Sequence, residues 1–155
     1  MGLFSFWKSD AASYFSAIEK EAILAAIKKA EQQTSGEVRV FIENRCKFVD
    51  ALDRAAEIFF GLKMEETQDR NAVLVYLAMK DRQFAVFADQ GIFIALGSEY
   101  WNKEASLMVQ EFKKESYATG LVTVISDIGK ALHQHFPYDY KGDKNELPDD
   151  IVFGK

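Results

Sequence analysis

Hydrophobic positions recur along the first third of the chain in two patterns. The first is a stripe at helical spacing, whose members are Ile18, Ala22, Ile27 and Ala30. Ser16 precedes this stripe and is followed three residues later by Glu19, which is a capping-box signature for a helix start. Residues 37–43, EVRVFIE, alternate instead between polar and apolar side chains. The pattern therefore predicts a helix that closes near residues 34–36 and then a β-strand.

The middle of the chain repeats this order and then adds two strands. Asp50 is a suitable N-cap for a second helix, whose apolar stripe would be Leu52, Ala55, Ile58, Phe59 and Leu62. Residues 71–78, NAVLVYLA, are nearly all apolar, which is typical of a strand covered on both faces. Four residues later, QFAVFAD at 83–89 predicts a third strand that ends on a carboxylate.

The final third is helical in pattern and ends in a polar tail. Residues 99–135 predict two helices with a break near residues 116–120. The tail after Pro137 is acidic and carries Gly142, Pro148 and Gly154, which favours a loop. We therefore expect an N-terminal extension at 1–15, one domain at 16–137, and an acidic C-terminal tail at 138–155 that packs on or near that domain.

The order of these elements predicts the direction of each strand. A helix between the first two strands implies a crossover, so these strands should be parallel. Four residues are too few for a crossover but enough for a hairpin, so the third strand should run antiparallel to the second. The predicted fold class is α/β, with helices flanking a mixed sheet.

Chain direction brings several polar side chains to one end of the sheet. The third strand returns to the end where the first two begin, so Asp89 should lie near Glu37 and near Asp69, Arg70 and Asn71. Carboxylates that converge repel one another unless they are protonated, paired or bridged by a metal. Oxygen ligands suit Ca²⁺ or Mg²⁺. We therefore treat Glu37, Asp69, Asn71 and Asp89 as candidate ligands.

The acidic tail supplies two further candidate ligands. If the last helix runs towards the same end, Asp143 and Glu146 in DYKGDKNELPDD come within reach. The tail lacks the residue order of an EF-hand loop. Zinc is less suited, because His133 and His135 have no cysteine pair or His-Glu pair near them.

Purely structural roles remain open for the same residues. Asp89 before Gln-Gly can form an Asx turn with its own backbone. Asp69 can pair with Arg70 or cap a turn, and Glu37 can lie exposed at the start of a strand.

Composition limits the class of partner. The chain has 155 residues, 48% of them hydrophobic, and a net charge of -5, which disfavours nucleic-acid binding. No run of about 18 apolar residues suggests a transmembrane segment, and MGLFSFWKSD lacks the parts of a signal peptide. The single cysteine, Cys46, excludes an internal disulfide. We expect a cytoplasmic protein, a monomer or a small oligomer and more often the former, with an unidentified protein partner.

Four segments together resemble the TPM domain family. They are AIKKAEQQTSGEVRVFIE, RNAVLVYLAMKDRQFAVFADQGI, the Tyr100-Trp101 pair, and GLVTVISDIGKALHQHFP, and the resemblance runs from about Ser16 to Pro137. It implies a three-layer αβα sandwich with a central mixed sheet of about four strands. It also implies divalent-metal binding and, for a plant lumen member, acid phosphatase activity. Glu37, the Arg70-Asn71 pair and Asp89 match the family pattern, whereas Ala88 replaces a family glycine.

Three functions are consistent with these observations. The first is a domain that binds a divalent cation, Ca or Mg rather than Zn, and acts as a metal-responsive regulatory or partner-binding module. The second is metal-dependent hydrolysis of phosphomonoesters, although no catalytic motif is present. The third is a scaffold that docks through aromatic side chains, either Phe4, Phe6 and Trp7 or Tyr100 and Trp101.

Overall fold

A computed structural model describes residues 12–47, 50–138 and 151–154. After a 3-10 turn at Ala12–Tyr14, the helices are α1 (Ala17–Gln32), α2 (Ala51–Gly61), α3 (Gln90–Leu96), α4 (Ser98–Lys113) and α5 (Tyr117–His135). The strands are β1 (Glu37–Glu43), β2 (Ala72–Ala78), β3 (Gln83–Ala88) and β4 (Ile151–Phe153).

The four strands form one mixed sheet in the order β3-β2-β1-β4. Strand β1 is parallel to β2, with Glu37 opposite Ala72, and it is also parallel to β4. Strand β3 is antiparallel to β2, with Ala88 opposite Val73. The predicted crossover and hairpin are therefore confirmed. The fourth strand is the one that the family resemblance implied.

The sheet separates two hydrophobic clusters. Helices α1, α4 and α5 cover the face that carries Val73, Val75 and Leu77, whereas α2 covers the face that carries Leu74 and Tyr76. This explains why β2 is a continuous apolar run, since all seven of its residues are buried. The architecture is the predicted αβα sandwich. No helix in the described part of the chain is long and apolar enough to cross a membrane.

The start of α1 is as predicted, and its buried face is as predicted at Ile27 and Ala30 but not at Ile18 and Ala22. Ser16 and Glu19 form the reciprocal capping box. Ile18, however, is 79% exposed and Ala22 is exposed. The buried residues are Ile23, Ala26, Ile27 and Ala30. Both stripes have helical spacing, so periodicity alone does not distinguish Ile18 and Ala22 from Ile23 and Ala26.

Three other predictions need correction. The tail is not all loop, because Ile151 and Phe153 are buried in β4. Residues 90–96 form α3 rather than a simple turn, and Asp89 is its N-cap. Leu52 in the first turn of α2 is exposed rather than part of its buried face. Asp50 caps this helix as predicted by accepting a hydrogen bond from the backbone N–H of Leu52.

A buried ionic cluster lies at the end of the sheet where β1 and β2 finish. Glu43 accepts hydrogen bonds from Arg54 Nε at 2.8 Å and Nη2 at 3.0 Å, and also from the hydroxyl of Tyr76. Burial of Tyr76, together with its bond to Glu43, raises the pKa of that phenol. The buried Glu43–Arg54 pair lies at the opposite end of the sheet from the predicted site residues Glu37 and Asp89.

Candidate functional site

Polar residues collect at the end of the sheet where β1 and β2 begin and β3 finishes. We call this end the rim and define it as residues 34–37, 65–72 and 89–91. The backbone N–H of Asp89 donates to the carbonyl of Ala72 at 2.9 Å, which continues the β2–β3 ladder into the rim. Asp89, Glu37 and Asn71 therefore lie at the same end of the sheet, as chain direction predicted.

Asp89 is the buried centre of the rim, with 3% of its surface exposed. Its Oδ2 accepts a hydrogen bond from Arg70 Nε at 2.7 Å, and its Oδ1 accepts one from Arg70 Nη2 at 2.8 Å. Oδ1 also accepts a bond from the backbone N–H of Gln90 at 2.8 Å, which caps α3. Two parallel N–H···O bonds are the strongest geometry for an arginine–carboxylate pair.

Arg70 lies at the boundary between this buried carboxylate and solvent. Its side chain is 36% exposed, and its backbone has a positive φ of 51°. The hydrogen bonds and negative charge of Asp89, and more weakly the charge of Glu65, raise the pKa of the guanidinium. Arg70 therefore neutralises Asp89 from a position that leaves it room to move outwards.

Strand register places Glu37 and Asp89 on either side of Ala72. Glu37 is opposite Ala72 in β1, and Asp89 bonds to Ala72 from the β3 side. Neighbouring strands are about 4.8 Å apart, so the two Cα atoms are separated by about 10 Å. The residue between them has only a methyl side chain. Glu37 is buried rather than exposed at a strand start.

Asn71 contributes a buried amide oxygen. The residue is 1% exposed, and its Nδ2 donates to Ser35 Oγ at 3.4 Å. Its Oδ1 has no hydrogen-bond partner among the described residues. A buried carbonyl oxygen without a donor is rare in native proteins and calls for a specific explanation.

Asp69 differs from the other three candidates because it is exposed. It lines an open pocket of about 490 Å³, whose other lining residues are Gln68, Arg70, Gln90, Gly91 and Ile94. Gly91 packs against the backbone here, since a Cβ on it would lie 2.3 Å from the carbonyl oxygen of Asp69 and 2.6 Å from that of Arg70. The buried carboxylates and the exposed Asp69 are therefore separate parts of the rim.

Two further oxygen-bearing residues of the rim were not predicted from the sequence. Glu65 and Thr67 lie in the connection between α2 and β2, and Glu65 Oε2 and Thr67 Oγ1 are buried. Neither atom has a hydrogen-bond partner within residues 12–47, 50–138 and 151–154. The available signal was the position of both residues just before 68–71, in a connection whose ends are fixed by α2 and β2.

The remaining predicted site residues either lie away from the rim or fall outside the residues that the structure describes. Asp143 and Glu146 lie outside the described residues, as do Phe4, Phe6 and Trp7. Trp101 is buried and Tyr100 is half-buried, which disfavours these two as a docking pair. Within the described ranges, no group of three or more His, Cys, Asp or Glu side chains is arranged to hold a metal ion.

Comparison with known proteins identifies one family and several similar structures. The TPM domain family matches residues 8–131. The BA42 protein of the psychrophilic bacterium Bizionia argentinensis is 36% identical, with a TM-score of 0.81 over 90% of this chain and 95% of that one. No curated protein matches.

Two more distant structures share the fold. The N-terminal domain of a P. gingivalis protein is 16% identical, with a TM-score of 0.63 over 83% of this chain and 85% of that one. The N-terminal domain of the Corynebacterium glutamicum cg2496 protein is 14% identical, with a TM-score of 0.58 over 95% and 88% of the two chains.

Proposed function

The chain belongs to the TPM domain family, and we propose that it binds a divalent cation, Ca²⁺ or Mg²⁺, at the rim and acts as a metal-responsive regulatory or partner-binding module. The observation that carries this proposal is a set of three buried oxygens without hydrogen-bond donors in the described chain, close in sequence to Asp89 or its partner Arg70. They are Glu65 Oε2, Thr67 Oγ1 and Asn71 Oδ1. Carboxylate, hydroxyl and amide oxygens are the ligand types that hard cations prefer.

The donor set fits a cation with few charged ligands. Asp89 and Glu37 supply carboxylates, Asn71 supplies an amide oxygen, and the carbonyl of Asp69 faces Gly91. Glu65 is a third acidic residue of the rim, but no group of three His, Cys, Asp or Glu side chains in the described ranges is arranged to hold a metal ion. At most two carboxylates would therefore bind one ion, and most ligands would be neutral. Affinity for Ca²⁺ rises with the number of charged ligands, so we expect weak binding, with a Kd on the order of 10⁻⁴ to 10⁻³ M.

Arg70 is the side chain that has to move when a cation binds. Both oxygens of Asp89 accept hydrogen bonds from its guanidinium, and two positive charges cannot share one buried carboxylate without repulsion. Its partial exposure allows the guanidinium to swing into solvent. Cation binding would then present a free arginine on the surface, which would make the surface around 68–71 responsive to metal.

Thermal unfolding with Ca²⁺, Mg²⁺ or chelator tests this proposal. A cation that binds only the folded state adds about 2.7 kcal/mol of stability at one hundred times its Kd. We expect the unfolding midpoint to rise with either ion and to fall back when chelator is added. An identical midpoint in all three conditions would contradict cation binding.

Two matched variants locate the effect. Asp89→Asn retains an N-cap for α3 but removes the charge, so it should abolish the stabilisation by cation. Glu43→Gln removes a second buried carboxylate that is bonded to an arginine, at the opposite end of the sheet, and should leave the cation response intact. An equal loss in both variants would rule out a site at the rim.

Hydrolysis of phosphomonoesters is a second candidate function. Arg70 and Gln90 line the open pocket beside Asp69, where their N–H groups could donate to phosphate oxygens. We would measure turnover of p-nitrophenyl phosphate with Mg²⁺. Turnover by the natural sequence that is lost in the Glu37→Gln, Asp69→Asn, Asp89→Asn triple variant would support this activity. Equal rates in the two proteins would exclude it.

A further inference from the structure

A second surface feature lies along β3, which is the outermost strand on its side of the sheet. A groove of about 320 Å³ follows this strand from Phe84 to Ala88. One bank comes from the start of α2, with Asp50 and Leu52, and the other comes from α3 and α4. The residues of the second bank are Phe93, Ser98, Trp101, Asn102 and Ala105.

The banks of the groove expose apolar side chains. Leu52 on α2 is 46% exposed and Phe93 on α3 is 41% exposed, and Phe93 stacks on Trp101. On the strand itself, Phe84 and Val86 are half-buried. Contiguous apolar surface framed by polar residues is typical of an interaction site.

The floor of the groove carries backbone groups that point away from the sheet. In an antiparallel ladder, residues alternate between those that bond to the partner strand and those whose N–H and C=O point outwards. The N–H of Asp89 bonds to Ala72, so the backbone groups of the odd-numbered residues of β3 point towards β2. The backbone N–H and C=O groups of Phe84, Val86 and Ala88 therefore point into the groove. No hydrogen bond between described residues uses these outward backbone groups.

The shape of the groove selects what can pair with this strand. Because both α2 and α4 contribute banks, β3 is recessed between two layers of helix. A second copy of the domain would bring its own flanking helices against these banks before its β3 could reach the floor. A single extended segment carries no such layers, and it can satisfy the outward backbone groups by strand addition.

The charge of the lining residues indicates which end of a bound segment would lie at each end of the groove. Asp50 is the single charged side chain among the described lining residues, and it is exposed. It lies at the Phe84 end, because α2 starts near the finish of β1 and reaches Phe87 only with Phe59 and Phe60. Arg82 at the same end is paired with Glu115 at 3.4 Å. A segment that runs antiparallel to β3 would place its C-terminal side beside Asp50.

We propose that the groove along β3 binds an extended peptide segment of a partner protein, which adds to the sheet as a fifth, antiparallel strand. The segment carries apolar side chains at alternate positions and a lysine or arginine at its C-terminal side. Alternate side chains contact the two banks, and the main chain pairs with Phe84, Val86 and Ala88. This proposal is independent of the cation site.

Selection from a displayed library of random seven-residue peptides against the full chain tests the proposal. We expect the enriched sequences to share alternating apolar positions followed by Lys or Arg, and synthetic copies to bind in solution. Enrichment of no sequence, or of sequences without this alternation, would overturn the proposal. Binding that appears only after residues 1–10 are deleted would assign the groove to the chain itself and would also overturn it.

A backbone variant shows whether strand pairing is responsible. Val86→Pro removes one outward N–H and leaves the β2–β3 ladder intact, since proline is tolerated on an outer strand at such positions. We expect about tenfold weaker peptide binding, because one peptide carbonyl is left unsatisfied. Val86→Thr keeps the N–H and should bind as the natural sequence does, apart from a smaller apolar contact. Equal affinity for the proline and threonine variants would contradict strand pairing.

Two controls cover the remaining outcomes. If Val86→Pro does not fold, the peptide can be N-methylated at the amides that face β3, which removes the hydrogen bonds that the peptide donates to this strand. Unchanged affinity of the methylated peptide would then overturn the proposal. Asp50→Asn keeps an N-cap for α2. We expect this variant to lose several-fold more affinity for peptides that end in Lys than for the same peptides ending in Gln. A dimer in sedimentation velocity that Val86→Pro dissociates would assign the groove to a second copy instead.

Discussion

At Asp89 one carboxylate caps α3 and neutralises Arg70. The sequence predicted where this residue lies, because the direction of each strand follows from the lengths of its connections. It did not predict the bidentate bond to Arg70, whose backbone adopts a positive φ of 51° in this structure. Residue types and spacing carry no information about such a local backbone conformation at an arginine.

Gly91 gives a prediction at the residue scale. A methyl group at this position would lie 2.3 Å from the carbonyl oxygen of Asp69, so Gly91→Ala forces the loop at 68–71 away from α3. We expect the free energy of unfolding to fall by about 1–3 kcal/mol, as measured by denaturant titration.

Gly61→Ala is the matched control for this substitution. Apart from the chain neighbours and nearby backbone of α2, no atom of the described residues lies within 4 Å of the added methyl group at Gly61, which is the last residue of α2. Helix propensity then favours alanine, so the control should be neutral or slightly stabilising, by up to about 1 kcal/mol. Equal destabilisation at both positions would show that the close contact of Gly91 with the loop is not the cause.

Among the elements, α1 shows which features of a helix hydrophobic periodicity predicts and which it does not. Its capping box fixed where the helix begins, and Ile27 and Ala30 are buried as predicted. Ile23 and Ala26, however, are buried where Ile18 and Ala22 were expected. Gly129 on α5 allows α1 and α5 to approach at Ala30, because a Cβ at position 129 would lie 2.7 Å from Ala30 Cβ. Contact between residues 30 and 129 is a tertiary fact that no local pattern contains.

The contact between α4 and α5 gives a prediction about pH. Glu104 on α4 is 2% exposed, and burial, together with the charge and hydrogen bond of Asp127 on α5, raises the pKa of its carboxyl to about 7. The folded chain therefore keeps a proton that the unfolded chain releases near pH 4.5. Stability from this group is complete below about pH 4.5 and is lost as the pH rises to about 7.

The variant Glu104→Gln should remove this dependence. Denaturant titrations at pH 5 and pH 8 should show the natural sequence losing up to about 3 kcal/mol relative to the variant, at about 1.4 kcal/mol for each pKa unit. Glu99→Gln, on the exposed side of the same helix, controls for the loss of a charge. A natural sequence and a Glu104→Gln variant that lose stability in parallel would contradict the assignment.

For the whole molecule, the sequence predicted the fold class, the mixed sheet and the relative directions of its first three strands. It did not place the fourth strand, because Ile151–Phe153 is three residues long and lies after a polar, acidic segment. Such a short run becomes a strand only when β1 offers a parallel partner, at Val40 and Ile42. The oxygens of Glu65 and Thr67 were missed for a related reason, since only the packed loop buries them.

Strand β4 gives a prediction at this scale. Phe153 is buried beside β1, whereas Val152 is only half-buried on the other side of the same strand. Phe153→Ala should lower the free energy of unfolding by about 3–5 kcal/mol, the usual effect of removing a buried aromatic ring. Val152→Ala should cost clearly less. Similar losses in the two variants would mean that β4 contributes little to the core.

The most direct test of the rim is a ¹H–¹⁵N NMR titration of the full chain with Ca²⁺. We expect the Nε–H signal of Arg70 to shift as its bonds to Asp89 break, together with backbone amides at 35–37, 65–72 and 89–91 and not at the Glu43 end. The same titration on Asp89→Asn should leave these signals still. Saturating Ca²⁺ that moves none of them in the natural sequence would contradict the exchange of Arg70 for a cation.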